Sequence, residues 1–245
     1  SGAVGVVFGR PSLRIKGFYL AIATLAAQFF LQWCFVRLGW LYNYNPSGAI
    51  EVPVHTLFGI PITGATAKPL TRYFVVLSIV VVMTWFASNL VHGRIGRNWM
   101  AVRDMDIAAQ LMGIRLLPAK LLAFAVSSFY AGVAGAMMVF LWLGAAEPEA
   151  FNINESFVLL FMVIIGGLGS LVGSFLGAAL IHILPIIVRT APDALGIKIG
   201  SATAEHLTFL ITGALIIFFL IVEPHGLARL WQIAKQKLRV WPFPY

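Results

Sequence analysis

The hydrophobic pattern divides the chain into long apolar runs separated by short polar segments. Residues 17–36, 74–91 and 121–143 each supply the roughly 20 apolar residues that a helix needs to cross a hydrocarbon layer of about 30 Å. Residues 156–188 are apolar over a length suited to two short helices, and residues 204–222 supply a last span. The pattern therefore predicts an all-α, multispanning membrane protein with about six spans or half-spans.

Glycines are concentrated in the apolar stretch GGLGSLVGSFLGAAL, residues 166–180. Gly166 and Gly167 release the backbone from helical geometry, so we predict a hinge over residues 166–170 between two short or half helices. Gly169, Gly173 and Gly177 recur every fourth residue and form a stripe of small residues on one helix face. The stripe fits simple helix packing. Broken helices also occur at transporter binding sites, so a part in a solute path is the alternative.

Polar residues within the predicted spans are few, and no Asp, Glu, Lys or Arg lies clearly inside a span. Thr24, Gln28 and Gln32 are four residues apart and share one helix face, where they could line a path for a polar solute. Ser127 and Ser128 offer hydroxyl groups in the third span. Hydrogen bonding between helices is the alternative role for these side chains. Proton-driven carriers usually place such ionisable groups inside their spans, so a proton-driven carrier is a poor fit.

The charges orient the chain in the membrane. The sequence is 60% hydrophobic and 11% charged, and its net charge of +8 is spread over short loops, which favours a membrane over a nucleic acid as the partner. Since Lys and Arg are retained in cytoplasmic loops, residues 10–16, 94–120 and 228–245 are predicted to face the cytoplasm. Residues 38–69 and 144–155, which are poor in basic residues, are predicted to face outward.

The cytoplasmic segment 93–118 combines apolar and charged residues. Apolar positions recur between residues 97 and 116 with Arg103, Asp104 and Asp106 between them, a pattern typical of short amphipathic helices at a membrane surface. Gly113 supplies a helix stop, and Pro118 lies near the first turn of the next span. A solvated basic loop that merely fixes the orientation is the alternative.

No catalytic motif is present in the sequence. It lacks H-E-x-x-H, G-x-S-x-G and the phosphate-binding G-x-x-x-x-G-K. Without the last motif, the chain cannot hydrolyse ATP by the usual loop. The single cysteine, Cys34, excludes an internal disulfide.

Several motifs resemble one known family. The segments GRNWMAVRDMDIAAQLMGI, KLLAFAVSSFYAGVAGAM and MVIIGGLGSLVGSFLGAAL, with SLRIKGFYLAIATLA before them and GLARL after them, are similar in sequence and order to the LivM-type permease subunit of branched-chain amino-acid ABC importers. The resemblance covers about residues 9–227. Met105 departs from it, because a polar residue is usual there, and the outer stretch YNYNPSGAIEVP resembles the family only loosely. Family members begin with further membrane helices, so we expect this chain to be a fragment of a longer protein.

The resemblance implies a permease domain over residues 1–227, with a coupling loop at 93–118, and a basic cytoplasmic tail at 228–245. Ala108, Ala109 and Gly113 match the A-A-x-x-x-G core of the loop through which importer permeases contact their ATPases. By this resemblance the expected coupling residues are Arg97, Arg103, Asp104, Asp106, Ala108, Ala109 and Gly113.

The resemblance also implies the function and the partners. We expect a subunit that translocates branched-chain or other hydrophobic amino acids across a bacterial inner membrane, in contact with membrane lipid. The expected partners are a LivH-like second permease subunit, two ABC ATPases that bind ATP and Mg²⁺, and a periplasmic binding protein, so the chain itself needs no cofactor. Urea, short amides or aromatic acids are alternative solutes within the family. A passive channel or a structural membrane scaffold is the alternative from a different class.

Overall fold

The computed structural model describes residues 1–12, 18–42, 44, 49–53, 55–57, 60–63, 68–194, 201–222 and 226–240. Within these residues the chain forms ten α-helices: α1 (Gly2–Ser12), α2 (Phe18–Arg37), α3 (Pro69–His92), α4 (Arg94–Asp104), α5 (Asp106–Leu111), α6 (Leu116–Met137), α7 (Ile153–Gly166), α8 (Leu171–Ala194), α9 (Ser201–Val222) and α10 (Gly226–Val240). The predicted all-α class is confirmed. Arg14, Lys16 and residues 241–245 of the predicted tail lie outside the described residues.

Four helical segments among the described residues are long and apolar enough to cross a membrane: Pro69–His92, Leu116–Leu143, Pro148–Gly166 and Leu171–Val188. Two shorter apolar helices, Ile22–Arg37 and Thr203–Phe219, lie within α2 and α9. The third predicted span is α6 followed by a π-helical segment, Met138–Leu143. The prediction of a multispanning helical membrane protein is therefore confirmed.

The chain divides into two compact units, Ser1–Phe151 and Asn152–Tyr245. In the first unit, α1 packs against α6 through small residues. A Cβ added to Gly5 would lie 2.5 Å from the Cβ of Ser128, and one added to Gly2 would lie 3.3 Å from the Ala125 carbonyl oxygen. The two backbones come this close only because glycine has no side chain.

A hydrogen bond joins α3 to α6 in the same unit. The Tyr130 hydroxyl donates to the Met83 carbonyl oxygen at 3.0 Å, and the Tyr130 ring stacks on Phe86 with ring centroids 6.4 Å apart. This polar side chain of the third span thus serves helix–helix association, a role in which a hydroxyl finds its partner inside the bundle.

Two pairs of short strands lie outside the helices. Strand β1 (Ile50–Glu51) pairs antiparallel with β4 (Ala145–Ala146), and β2 (Thr56–Leu57) pairs antiparallel with β3 (Ile60–Pro61). A 3-10 helix, Gly39–Tyr42, comes before β1, and another, Pro148–Phe151, follows β4. The β1–β4 pair joins the two segments that the charge pattern predicts on the outer side, and it therefore agrees with placing both on one side of the membrane.

The second unit contains a tight hairpin of α7 and α8. Asn152 caps α7 by accepting a hydrogen bond from the Glu155 amide at 3.1 Å. Gly166 of α7 faces Gly173 and Gly177 of α8, and a Cβ on Gly177 would overlap the Met162 carbonyl oxygen. Ile165, beside this contact, is fully buried. The predicted glycine seam is thus present, although its members differ from the prediction.

Two details of that prediction are wrong. Gly169 does not belong to the stripe, because it lies in the turn between the helices with a φ of +83° and is exposed. The helical period of α8 starts only at Leu171, so the helix's glycine face is formed by Gly173 and Gly177, with Gly166 opposite them. In addition, α8 is not short: its 24 residues span about 36 Å.

The hinge over residues 166–170 lies at the level of the end of α9. A Cβ on Gly226 would lie 2.5 Å from the Gly167 nitrogen and 2.6 Å from the Ile165 carbonyl oxygen. Gly226 follows the end of α9 by only four residues, a reach of at most about 14 Å. The hinge is therefore the turn between α7 and α8, and it packs against the start of α10.

Candidate functional site

The segment between α3 and α6 folds into the two short helices that the amphipathic pattern predicts. Helix α4 ends at Asp104, Met105 adopts an extended conformation with φ −150° and ψ 97°, and α5 begins at Asp106. A Cβ on Gly96 would overlap the Val91 carbonyl, which explains a glycine at the tight α3–α4 junction. Val102 and Ala109 are buried, so each helix turns one face into the unit.

A side-chain hydrogen bond fixes α4 to the beginning of α6. The Trp99 indole Nε1–H donates to the Ala119 carbonyl oxygen at 2.9 Å. Ala119 lies in the first turn of α6, where Pro118 is tolerated because the first amides of a helix have no partner within it. The α4–α5 segment and α6 are thus directly linked.

Gly113 ends α5 in the way predicted. Its amide donates to the Gln110 carbonyl at 2.9 Å, and the Ile114 amide donates to the Ala109 carbonyl at 3.0 Å. With a φ of +85° at Gly113, these bonds form a Schellman motif, which requires a left-handed residue at this position. The motif fixes the direction in which the chain leaves α5 and enters α6.

A groove of about 860 Å³ lies between the α4–α5 segment and the start of α6; we call it the α4–α5 groove. It is lined by Trp99, Val102, Arg103, Asp104, Met105, Asp106, Ile107, Ala108, Leu111, Ala119, Lys120 and Ala123. Ile107 and Leu111 on its rim are 73% and 85% exposed. Large apolar side chains at this exposure, beside charged ones, are typical of a protein-binding surface.

The groove brings together four of the seven predicted coupling residues: Arg103, Asp104, Asp106 and Ala108. The Arg103 Nε donates to the Asp104 carboxylate at 2.8 Å, and both side chains are exposed. An ion pair of this kind contributes little to stability, about 0–1 kcal/mol, and leaves its charges available to a partner.

The other three predicted coupling residues lie elsewhere. Arg97 is exposed but does not line the groove. Ala109 is 2% exposed and faces inward, so it supports α5 and does not form surface. Gly113 acts through the backbone of the helix stop. The sequence pattern does not separate Ala108 from Ala109, because their exposure depends on where α6 packs. The coupling role of all seven residues stays a prediction.

A second cavity, of about 670 Å³, lies between α1, α2 and α6. We call it the α1–α2–α6 cavity. Its lining is mostly apolar, with Phe8, Leu31, Phe35, Phe124 and Phe151 as its largest side chains. Ile50, Ala146 and Glu147 line it from the β1–β4 region. The cavity is therefore bordered by the segments predicted on the outer side.

Four of the predicted solute-path residues line this cavity: Thr24, Gln28, Gln32 and Ser128. Ser127 does not, and its hydroxyl donates to the Phe124 carbonyl of its own helix at 3.0 Å. Glu147 and Phe151 were not predicted, because contact between residues 50 and 146 is invisible in local patterns. The role of these residues in a solute path stays a prediction.

Among the described residues, no three His, Cys, Asp or Glu side chains come together as a metal site.

Comparison with known proteins identifies relatives that match most of the chain. The model of the family described as branched-chain amino acid transport system, permease component, matches residues 1–220. The chain is 30% identical to the high-affinity branched-chain amino acid transport system permease protein LivM of Salmonella typhimurium. It is 29% identical to the LivM protein of Escherichia coli. Each alignment covers 93% of this chain and 54% of the relative, so the chain spans about half the length of these proteins.

Part of the chain is also similar to a permease that is named for a different solute. The chain is 32% identical to the ribose import permease protein RbsC of Haemophilus influenzae over 44% of this chain and 34% of that protein. No solved structure matches the chain. The family match covers most of the chain and agrees with the helical membrane fold described above. The chain therefore belongs to the family of permease components of branched-chain amino acid transport systems.

Proposed function

We propose that this chain is a membrane-spanning permease subunit of an ATP-driven importer, in a bacterial inner membrane, for branched-chain or other hydrophobic amino acids. Its proposed partners are a LivH-like second permease subunit, two ABC ATPases that bind ATP and Mg²⁺, and a periplasmic binding protein. The observation that carries the proposal is the exposed α4–α5 groove, on the face that the charge pattern predicts in the cytoplasm.

The groove has the composition expected of a docking site. Ile107 and Leu111 offer apolar area that is covered only when a partner binds. Arg103 and Asp106 place charges of both signs beside this area and can fix the orientation of the partner. The side chain of Ala108 leaves room for a partner residue to enter the groove. An ATPase surface with an apolar cleft and complementary charges fits this arrangement.

When an ATPase is bound, motion of the α4–α5 segment would be transmitted to the α1–α2–α6 cavity through α6. The Trp99–Ala119 hydrogen bond links α4 to the first turn of α6. Helix α6 and its π-helical extension run for 28 residues, roughly 40 Å, and end beside β4. Phe124 and Ser128 of α6 line the α1–α2–α6 cavity. Closure of the ATPases would therefore displace a wall of the cavity, and release after hydrolysis would return it.

The cavity lining supports the proposed solute. Aliphatic and aromatic side chains suit an aliphatic side chain, while the Thr24 hydroxyl and the Gln28 and Gln32 amides suit the polar end of an amino acid. Glu147 is the acidic side chain among the lining residues and could receive an ammonium group. Urea, short amides and aromatic acids are the alternative solutes. The partial similarity to a ribose permease indicates that related scaffolds serve different solutes.

The proposal is tested by uptake into sealed vesicles that contain the full-length permease, candidate ATPases and the binding protein, with leucine, isoleucine, valine and urea as substrates. Ala108→Trp should abolish ATP-driven uptake because it fills the groove, while the fold is kept because Ala108 is exposed. Gln110→Trp is the matched control, since Gln110 is exposed on the same helix but does not line the groove.

The two variants also separate the classes of function. An importer loses uptake with Ala108→Trp and keeps it with Gln110→Trp. A passive channel or a structural scaffold is indifferent to both, so unchanged solute flux with Ala108→Trp would refute the ATP-driven proposal. Uptake of urea without leucine would keep the importer and replace the solute.

A further inference from the structure

Helix α10 is a basic amphipathic helix that the proposed transport cycle does not use. It carries Arg229, Lys235, Lys237 and Arg239 and no acidic residue. Its first residues are packed: Gly226 lies against Gly167, and Ala228 is buried. From residue 229 to residue 239, every side chain is exposed. The helix therefore starts on the second unit and then leaves it.

The apolar residues of α10 lie on one face. Leu227, Leu230, Trp231, Ala234 and Leu238 have the i, i+3, i+4, i+7 spacing that places them together on a helix. Trp231 is 58% exposed and Leu238 is 75% exposed. Ile233 is the one large apolar residue among the described side chains of α10 that falls outside this face.

The polar residues are arranged around that face. At 3.6 residues per turn, Lys235 and Lys237 each lie about 80° to one side of its centre, so they flank it on both edges. Gln232 and Gln236 lie on the opposite side of the helix. Lysines at the edges of an apolar face can keep their ammonium groups at the headgroup level while their stems lie along the apolar surface.

The position of α10 brings its first residue close to the end of a predicted membrane span. The helix begins four residues after α9, a predicted span, and therefore within about 14 Å of its end. A second copy of the chain is a poor occupant for the face, because two helices with four positive charges each repel one another. Anionic phospholipid headgroups complement both the charge and the apolar face.

We propose that α10 lies flat in the cytoplasmic surface of the membrane, with its apolar face at the boundary of the acyl chains and with Lys235 and Lys237 on anionic phospholipid headgroups. This arrangement would hold the start of α10 at Gly226, and with it the packed hinge at Gly167, at a fixed depth. It depends on the membrane location of the chain and on its orientation, and not on which solute or ATPase it uses.

The test uses the full-length permease in nanodiscs, with Cys34 and any cysteine outside residues 1–245 replaced by serine and with a spin label at Ala234→Cys on the apolar face. The matched control is a label at Gln236→Cys on the opposite face. Nanodiscs of phosphatidylcholine alone are compared with nanodiscs that contain about 30% phosphatidylglycerol. In the anionic nanodiscs, the label at 234 should be accessible to oxygen and shielded from a water-soluble nickel chelate, whereas the label at 236 should be accessible to the chelate.

The lysines are tested by two double variants. Lys235→Gln with Lys237→Gln should shift the equilibrium of the 234 label toward water by about 30-fold, since each basic residue near an anionic surface contributes about 1 kcal/mol. Lys235→Arg with Lys237→Arg keeps both charges and should leave the label shielded.

Three outcomes would overturn the proposal. Equal exposure of both labels to the chelate in anionic nanodiscs would show that the helix does not lie on the lipid. If the label at 234 were shielded from the chelate equally with and without phosphatidylglycerol, anionic headgroups would have no role. The same conclusion would follow if the glutamine substitutions left its shielding unchanged. Shielding that develops only when an ATPase is added would assign the face to a protein partner. None of these readouts involves transport, so the proposed function can fail or succeed independently.

Discussion

Gly113 and Gly213 both leave open space where a Cβ would stand, but only Gly113 has a positive φ. Gly113→Ala should therefore cost about 1–2 kcal/mol from backbone strain alone and loosen the end of α5. Amide hydrogen exchange of α5 should become faster. Gly213→Ala is the control within α9 and should be neutral or slightly stabilising. If the amides of α5 exchanged at the same rate in Gly113→Ala and in Gly213→Ala, the role assigned to the Schellman motif would be contradicted.

Tyr130 offers a second test at the level of one side chain. Tyr130→Phe removes the hydrogen bond to the Met83 carbonyl and keeps the ring that stacks on Phe86. The expected loss of stability is about 0.6–1 kcal/mol, measured as a lower midpoint of thermal unfolding in detergent. Tyr130→Leu removes the stacking as well and should lose more. A midpoint unchanged in both variants would mean that this contact does not join α3 and α6.

For single residues, the sequence predicts those features that depend only on neighbouring residues in the chain. The stop at Gly113 is predictable because it requires only a glycine after a short amphipathic run. The burial of Ala109 is not predictable, because it depends on the packing of a neighbouring helix. The roles of Ser127 and Ser128 also depend on packing. The Ser127 hydroxyl donates a hydrogen bond within its own helix, whereas Ser128 lines the α1–α2–α6 cavity.

At the scale of elements, the α7–α8 hairpin carries the clearest prediction. Gly173→Leu should destabilise the chain by about 3 kcal/mol or more, because even its Cβ would lie 3.0 Å from the Gly166 carbonyl carbon. Ala179→Leu is the control, since Ala179 is exposed on the same helix. The amount of folded protein recovered from membranes, and uptake by what is recovered, should fall only for Gly173→Leu. Normal uptake by that variant would remove the glycine seam from the mechanism.

Most elements are predictable because long apolar runs have only one stable form in lipid. The details of the α7–α8 hairpin are not predictable in this way. The prediction of a glycine stripe treated residues 169–177 as one continuous helix, but the positive φ values at Gly167 and Gly169 interrupt the helix there. The β1–β4 pair joins residues almost a hundred positions apart and has no signal in either segment alone. It nevertheless determines which residues border the α1–α2–α6 cavity.

At the scale of the first unit, helix α6 connects every part of the proposed mechanism. It is linked to α4 by Trp99, to α3 by Tyr130 and to α1 by small residues. A force applied at the α4–α5 groove would thus reach the α1–α2–α6 cavity through one continuous element. The central claim is that this groove is the surface on which an ATPase acts.

Site-specific photo-crosslinking in the assembled transporter tests this claim most directly. A photoreactive residue at Leu111, which is 85% exposed on the groove, should crosslink to the ATPase subunit. The same residue at Trp142, which is 82% exposed near the predicted outer end of α6, should not. Crosslinking of the ATPase at Trp142, or its absence at Leu111 in an assembly that retains ATP-driven uptake, would contradict the account.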